Sequence, residues 1–316
     1  MRILITGGAG FIGSHLADAY LAAGHEVAVL DNLVSGKLEN LSQSLVRFFE
    51  VDIADREGVR QAFADFKPDV VNHHAAQMSV KVSTDRPVYD AQNNVIGLIN
   101  VLEAAVEHGV KKVIFASSGG TVYGDAEWIP TPEYAPLAPM SPYGITKMVG
   151  EHYLRYFQRM FGLDFTVFRY GNVYGPRQDP HGEAGVVAIF AKRLISGQSP
   201  TIHWDGEQRK DYVHVKDVVR ANVIALTEGS GRSYNIGSGV ATSVNELFDG
   251  LERQLGSGIA PTYGPKREGD VRISYLDIGR ACVELGWQPK VTLDEGMVDT
   301  VAFFRRQVEA EKVMTK

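Results

Sequence analysis

The stretch from Arg2 to Asp31 limits what this chain can fold into more than any other. Arg2-Ile-Leu-Ile-Thr6 reads as a short buried strand that runs straight into Gly7-Gly8-Ala9-Gly10-Phe11-Ile12-Gly13. An apolar-periodic helix follows over 14–23, then a second strand over 26–30 that ends at Asp31. Glycines at 7, 10 and 13 permit a tight turn, close approach of the backbone to a pyrophosphate, and close packing of helix on strand. Phosphates placed there meet the amide groups and positive dipole end of the first helix. Asp31 can accept hydrogen bonds from the adenosine ribose hydroxyls and would repel a 2′-phosphate. No arginine follows within the next few residues, which favours NAD over NADP. A glycine trio alone is an ordinary loop. Strand, loop, helix, strand and acid in this order predict a dinucleotide site.

Strands near 46–51, 69–72, 111–116 and 165–169 alternate with helices near 56–66, 89–108 and 142–161. Such alternation predicts an α/β fold: a doubly wound parallel sheet of Rossmann type, helices on both faces. After Asn172 the texture changes, and 171–185 reads as a functional loop rich in glycine, proline and charge. Segments 211–215 and 233–236 read as later strands, the second returning to the first sheet. Residues 1–170, with return segments near 211–236, are therefore expected to form the cofactor domain. Residues 171–210 and 237–316 are expected to form a smaller, interleaved substrate domain.

Hydrophobic content of 44% and charged content of 22% are those of an ordinary soluble globular chain. A net charge of -6 leaves no basic footprint for nucleic acid. The single cysteine, Cys282, cannot close an internal disulfide, which fits a reducing compartment. No leader precedes the first strand, and no apolar run approaches the roughly 20 residues needed to cross a bilayer. A cytoplasmic enzyme without membrane partner or metal is the expectation.

Tyr143 and Lys147 lie four apart in Ser141-Pro142-Tyr143-Gly144-Ile145-Thr146-Lys147 and share one helix face. A free phenol holds its proton until about pH 10. A fixed positive charge beside it favours the phenolate, giving a general base able to take a proton from an alcohol. The spacing is common by chance; beside a dinucleotide site it points to redox chemistry on a hydroxyl.

Together these motifs resemble the extended short-chain dehydrogenase/reductase family, and within it the UDP-galactose (UDP-glucose) 4-epimerase group. The resemblance spans nearly the whole chain. Thr6 to Gly13 matches the family's opening, which implies cofactor contacts from Gly7, Gly10, Phe11, Ile12 and Gly13. Asp31-Asn32 matches the end of its second strand, and Asp52-Ile53 the pair that meets the adenine. His74-Ala75-Ala76-Gln77 matches the segment lining the nicotinamide side, and Asn94-x-x-Gly97-x-x-Asn100 the helix after it. Tyr143, Lys147 and Tyr170 complete the implied cofactor set. Asn172 matches the asparagine that holds the sugar diphosphate, and Arg267 and Asp270 the late loop that binds phosphate and uridine ribose. Val187 and Arg272 are further substrate candidates.

Three positions depart from the family pattern. Gly119 stands where a serine or threonine is usual; Ser118 is favoured as the catalytic hydroxyl, with Thr121 and Ser117 as alternatives. Lys210 stands where an arginine clamps the diphosphate, and either it or Arg209 could serve. His203-Trp204 replaces an aromatic followed by glycine, so His203 is a plausible base contact. Ser274, four after Asp270, is small where a bulky residue excludes a 2-N-acetyl group. The resemblance implies an isomerase with tightly bound NAD that inverts C4 of a UDP-hexose through a transient 4-keto sugar. It also implies a homodimer formed by helices 89–108 and 142–161. A uronate epimerase or decarboxylase and a sugar-nucleotide dehydratase remain alternatives, as does an NAD-binding scaffold without turnover.

Overall fold

The computed structural model describes residues 1–42, 45–181, 185–266 and 271–314. Its strands are β1 (Arg2–Thr6), β2 (Glu26–Asp31), β3 (Arg47–Glu50), β4 (Val70–His73), β5 (Lys112–Ser118), β6 (Asp164–Tyr170), β7 (Asn172–Tyr174), β8 (Thr201–His203), β9 (Arg209–His214), β10 (Arg232–Ile236), β11 (Ala241–Ser243), β12 (Thr262–Gly264) and β13 (Ile273–Ser274). Its helices are α1 (Phe11–Ala22), α2 (Arg56–Phe66), α3 (Val80–Asp85), α4 (Pro87–Ala91), α5 (Gly97–Glu107), α6 (Pro142–Phe161), α7 (Val186–Ile195), α8 (Val215–Ile224), α9 (Val244–Leu255), α10 (Gly279–Leu285) and α11 (Leu293–Met314).

Seven strands build the central sheet in the order β10-β6-β5-β4-β1-β2-β3, and every pairing in it is parallel. Side chains along a strand alternate between faces, so each strand feeds two cores. Ile3 and Ile5 pack with Leu16, Tyr20, Val218 and Ala221 under α1 and α8. Leu4, between them, packs with Phe63, Leu98, Val101, Phe115 and Phe157 under α2, α5 and α6. A third core joins α7, α9 and α11 through Phe190, Leu247, Phe248 and Phe304. It lies beside a second sheet in which β9 pairs with β7, β11 and β13. Among the described residues no helix is long and apolar enough to cross a membrane.

Two expectations about helices shift. Helix α1 begins at Phe11, so Gly13 lies in its first turn rather than ahead of it. The single helix expected over 89–108 is instead α4, a π turn over Gln92–Ile96, and α5. Apolar periodicity does not report one extra residue in a turn. Asn94 holds the widened turn in place, bonding Gln77 and Thr146 across the gap to neighbouring segments.

The seam between β5, β6 and α6 carries a buried ion pair. Arg169 donates to both carboxylate oxygens of Glu151, at 2.9 and 2.6 Å, and both residues are essentially without exposure. Tyr123 and Ser117 join the same group, the latter donating to Glu151 at 2.8 Å. Removing one member of such a pair leaves a stranded charge. Glu151→Ala is expected to cost about 3–5 kcal/mol, read as a lower urea midpoint; an unmoved midpoint would contradict the pairing.

Candidate active site

The sheet order reverses between β1 and β4, and such a switch point opens a crevice at the carboxyl ends of the strands. Thr6 ends β1 beside Leu30 and His73. Gly7 turns there with φ +68°, and a β-carbon on it would lie 2.6 Å from the Ala75 amide nitrogen. A β-carbon on Gly13 would lie 2.3 Å from the Gly7 carbonyl oxygen. Neither place has room for a side chain. The N-cap of α1 is Gly10, which offers no side-chain cap, so the first-turn amides face the crevice uncovered. Asp31 accepts from the Ala9 amide at 3.0 Å and the Leu33 amide at 2.9 Å. Burial raises its carboxyl pKa, and those two bonds oppose the rise. Asn32 donates to Asp52 at 2.9 Å, and buried Ile53 packs where Gly97 leaves room. This cradle fits a dinucleotide.

Two residues expected at the cofactor turn their polar ends to the protein. Asn94 spends its amide on Gln77, Asp90 and Thr146. The Tyr170 hydroxyl accepts from Asn222 at 2.8 Å and lies 3.2 Å from His74. Ala75, Ala76 and Gln77 follow β4 on the crevice side, each partly buried. Burial and the Lys147 charge bring His74 down to about 3, so its ring is neutral.

Helix α6 is started by local chemistry. Ser141 accepts from the Gly144 amide at 3.2 Å, and Pro142 takes the first helical position. That places Tyr143 in the first turn and Lys147 one turn on. Ser118, at the end of β5, lies close enough to Tyr143 to act on its phenol. The Lys147 ammonium donates to the Ala116 carbonyl at 2.9 Å and lies 5.7 Å from the centre of the Tyr143 ring. The expected lowering of the phenol is not met in the protein alone. Burial pushes Tyr143 up to about 12, the Ser118 bond opposing and Asp90 reinforcing. Burial also brings Lys147 down to about 8, with Asp90 opposing. Desolvation is the largest influence on both groups.

The three candidate hydroxyls separate clearly. Ser117 points into the core at Glu151. The Thr121 hydroxyl oxygen is buried with no hydrogen-bond partner. Ser118 alone meets the phenol. A side chain at position 119 would require Leu276 to shift, because a β-carbon would lie 2.7 Å from Leu276 Cδ1. A β-carbon on Gly120 would lie 3.9 Å from Asn172 Oδ1 and 4.0 Å from Ser118 Oγ, so that asparagine and serine flank one space.

On the substrate side, alternation along β9 sends Arg209 and Lys210 opposite ways. Arg209 pairs with Glu246 on α9 at 3.1 Å. Lys210 is in register with Ser274 on β13 and donates to the Val271 carbonyl at 3.2 Å. Arg272 contacts both Asp205 oxygens at 2.8 Å and lies over the Trp204 ring. Trp204 itself adopts a left-handed φ of +63°. His203 lies 3.3 Å from the Pro265 carbonyl. Val187 is buried in the third core. Arg267 and Asp270 lie outside the described residues. Sequence reasoning missed Asp90, Thr146 and Glu151. Their only signal was position: Asp90 one turn before Asn94, Thr146 between Tyr143 and Lys147, and Glu151 one turn after Lys147.

A glycine-lined dinucleotide crevice facing a half-buried tyrosine and a buried lysine on one helix defines a short-chain dehydrogenase/reductase. The pattern of the NAD dependent epimerase/dehydratase family matches residues 3–237, and the chain belongs to that family. It is 48% identical to the UDP-glucose 4-epimerase of Mycolicibacterium smegmatis over 312 residues, covering 97% of this chain and 99% of that protein. The UDP-glucose 4-epimerase of Thermotoga maritima, solved with UDP-glucose, superposes with a TM-score of 0.96 at 50% identity, covering 98% of this chain and 100% of that one. The Thermus thermophilus UDP-glucose 4-epimerase, solved with NAD, gives 0.92 at 47% identity, covering 96% and 99%.

Restoring a hydroxyl at position 119 is expected to overpack the site. Gly119→Ser should lose about 1–3 kcal/mol, and the same serine should cost less when added to a Leu276→Ala background. Thermal unfolding of the single and double variants checks both; a neutral Gly119→Ser would remove the steric account.

Proposed function

We infer that this chain is an NAD-dependent 4-epimerase of UDP-hexoses, acting by oxidation to a 4-keto sugar and return of the hydride to the opposite face. The observation that carries this is Tyr143 and buried Lys147 one helical turn apart on α6, beside the dinucleotide crevice and the Ser118 end of β5. Relatives at 48% and 50% identity are UDP-glucose 4-epimerases. NAD would be held by the Gly7–Gly13 loop, Asp31, Asn32, Asp52, Ile53 and the Ala75–Gln77 segment. When bound, it supplies the hydride acceptor and donor for C4 and a positive ring that favours the phenolate.

Tyr143 takes the proton of the sugar 4-hydroxyl and later returns it. Ser118 donates to the same sugar oxygen and holds it toward the phenol. Lys147 adds the charge that the buried phenolate needs. The nucleotide must stay fixed while the hexose turns over, so Asn172 and Lys210 address the diphosphate rather than the reacting carbon. Within this reading, residues 1–170 with 211–236 serve the cofactor, and 171–210 with 237–316 serve the nucleotide sugar.

Residues 119–121 offer no carboxylate for the proton transfers of a dehydratase or decarboxylase. Glu133, on the same loop, is tied to the Asn235 amide and Arg280. Ser274 leaves space for a 2-N-acetyl group; a UDP-N-acetylglucosamine 4-epimerase from Methanobrevibacter ruminantium is 34% identical, with a TM-score of 0.92. The pairing surface of a homodimer is the outer face of α6 and the turn beside it, where Ile96, Ile145, Tyr156 and Met160 are exposed by 45–58%.

Purified protein incubated with UDP-glucose or UDP-N-acetylglucosamine, without added NAD, is expected to yield the C4 epimer. Tyr143→Phe should lower kcat by about 10²–10⁴-fold, and a scaffold would show no turnover in either form. Because burial holds Lys147 at about 8, its ammonium is present below that pH and lost above it. The rate should therefore fall on the alkaline side with a midpoint near this value, and Lys147→Met should abolish that limb. Sedimentation should give a dimer, shifted to monomer by Ile145→Glu with Tyr156→Glu.

A further inference from the structure

One buried carboxylate near the reacting groups has no part in the mechanism above. Asp90 is 0% exposed and lies next to last in α4, just before the π turn. One of its oxygens accepts from Gln77 at 2.8 Å and Asn94 at 3.0 Å. The other accepts from the Thr146 hydroxyl at 3.0 Å. Thr146 lies between Tyr143 and Lys147 on α6, and its hydroxyl also reaches the Tyr143 carbonyl at 3.0 Å. Asp90 thus grips the turn of α6 that carries both reacting side chains, and the segment after β4.

A carboxylate this deep must be answered by hydrogen bonds or by a nearby cation. Its donors Gln77, Asn94 and Thr146 are all neutral. The groups packed round it are few. Arg86, on its own element, is exposed and lies over the Tyr89 ring. On α3, Lys81 and Asp85 form an exposed pair with each other. On α6, Glu151 is taken by Arg169, which leaves Lys147, 4% exposed and bonded to a neutral carbonyl. Lys147 in turn faces His73 and His74, both neutral.

We propose that Asp90 is the counter-charge that keeps Lys147 an ammonium inside this site, and that through Thr146 it fixes the turn carrying Tyr143. It is a positioning residue, and the inference rests on the epimerase reading. Asp90 acts on both partners in the same sense: its charge opposes proton loss from Lys147 and from Tyr143. Removing it should move the whole pH–rate bell toward acid. A merely structural residue would lower the bell without moving it.

The test uses NAD-saturated enzyme labelled with 13C at lysine Cε, the Lys147 resonance being assigned by its loss in Lys147→Met. In Asp90→Asn the Lys147 midpoint should fall by about one pH unit, and the alkaline limb of kcat/KM should fall with it. Asp90→Ser removes the same charge with a smaller side chain and is read the same way should Asp90→Asn not fold. Thr146→Val breaks the grip but keeps the charge; kcat should drop while the midpoint stays. An unmoved or raised midpoint in Asp90→Asn overturns the proposal, and so does an equal shift in Thr146→Val. Absence of epimerase turnover in the unaltered enzyme would sink the functional reading instead, with the lysine titration still deciding this one.

Discussion

The charges that matter in this molecule sit where water does not reach, so each is answered by another protein group. Lys147 and Glu151 lie one turn apart on α6 and are both buried. Glu151 is met by Arg169 from β6, and Lys147 by the end of β5. In such a medium an unmatched charge costs several kcal/mol. Helix α6 cannot slide or turn without breaking two of these matches at once. That rigidity holds Tyr143 in place far more firmly than one phenol contact could.

The same desolvation sets the chemistry. A buried phenol resists ionisation, and a buried amine resists protonation, so each alone is a worse catalyst than in water. On the proposed reading, the pair together with the positive charge of an oxidised cofactor ring would reverse the balance. A base that gains strength when the cofactor is oxidised is ready when there is a hydride acceptor. Without that acceptor, Tyr143 near 12 holds its proton.

Neighbouring serines on β5 show how finely the backbone divides roles. Ser117 and Ser118 point to opposite faces, one into the Glu151–Arg169 group, the other at the phenol. The glycine after them is empty because Leu276, from a distant loop, fills its side-chain space. Arg209 and Lys210 divide in the same way on β9. The cation nearer the expected arginine position stays on the Ser274 side, and its neighbour is drawn to the capping carboxylate of α9.

Much of this was legible in the residues. Glycine spacing, the acid after the second strand and alternating strands and helices announce a dinucleotide sheet, because those signals are local and periodic. Ser141 and Pro142 announce the start of α6, and with it the shared face of Tyr143 and Lys147. The family resemblance then narrowed the activity. What no local pattern could give was burial. That the phenol goes up rather than down, that Ser118 rather than Ser117 meets it, and that Asn94 serves a π turn follow from segments far apart in the chain. So does the convergence of Asp90 on α6. Propensity and spacing report what a segment prefers; desolvation depends on everything packed around it, and only the tertiary structure decides that.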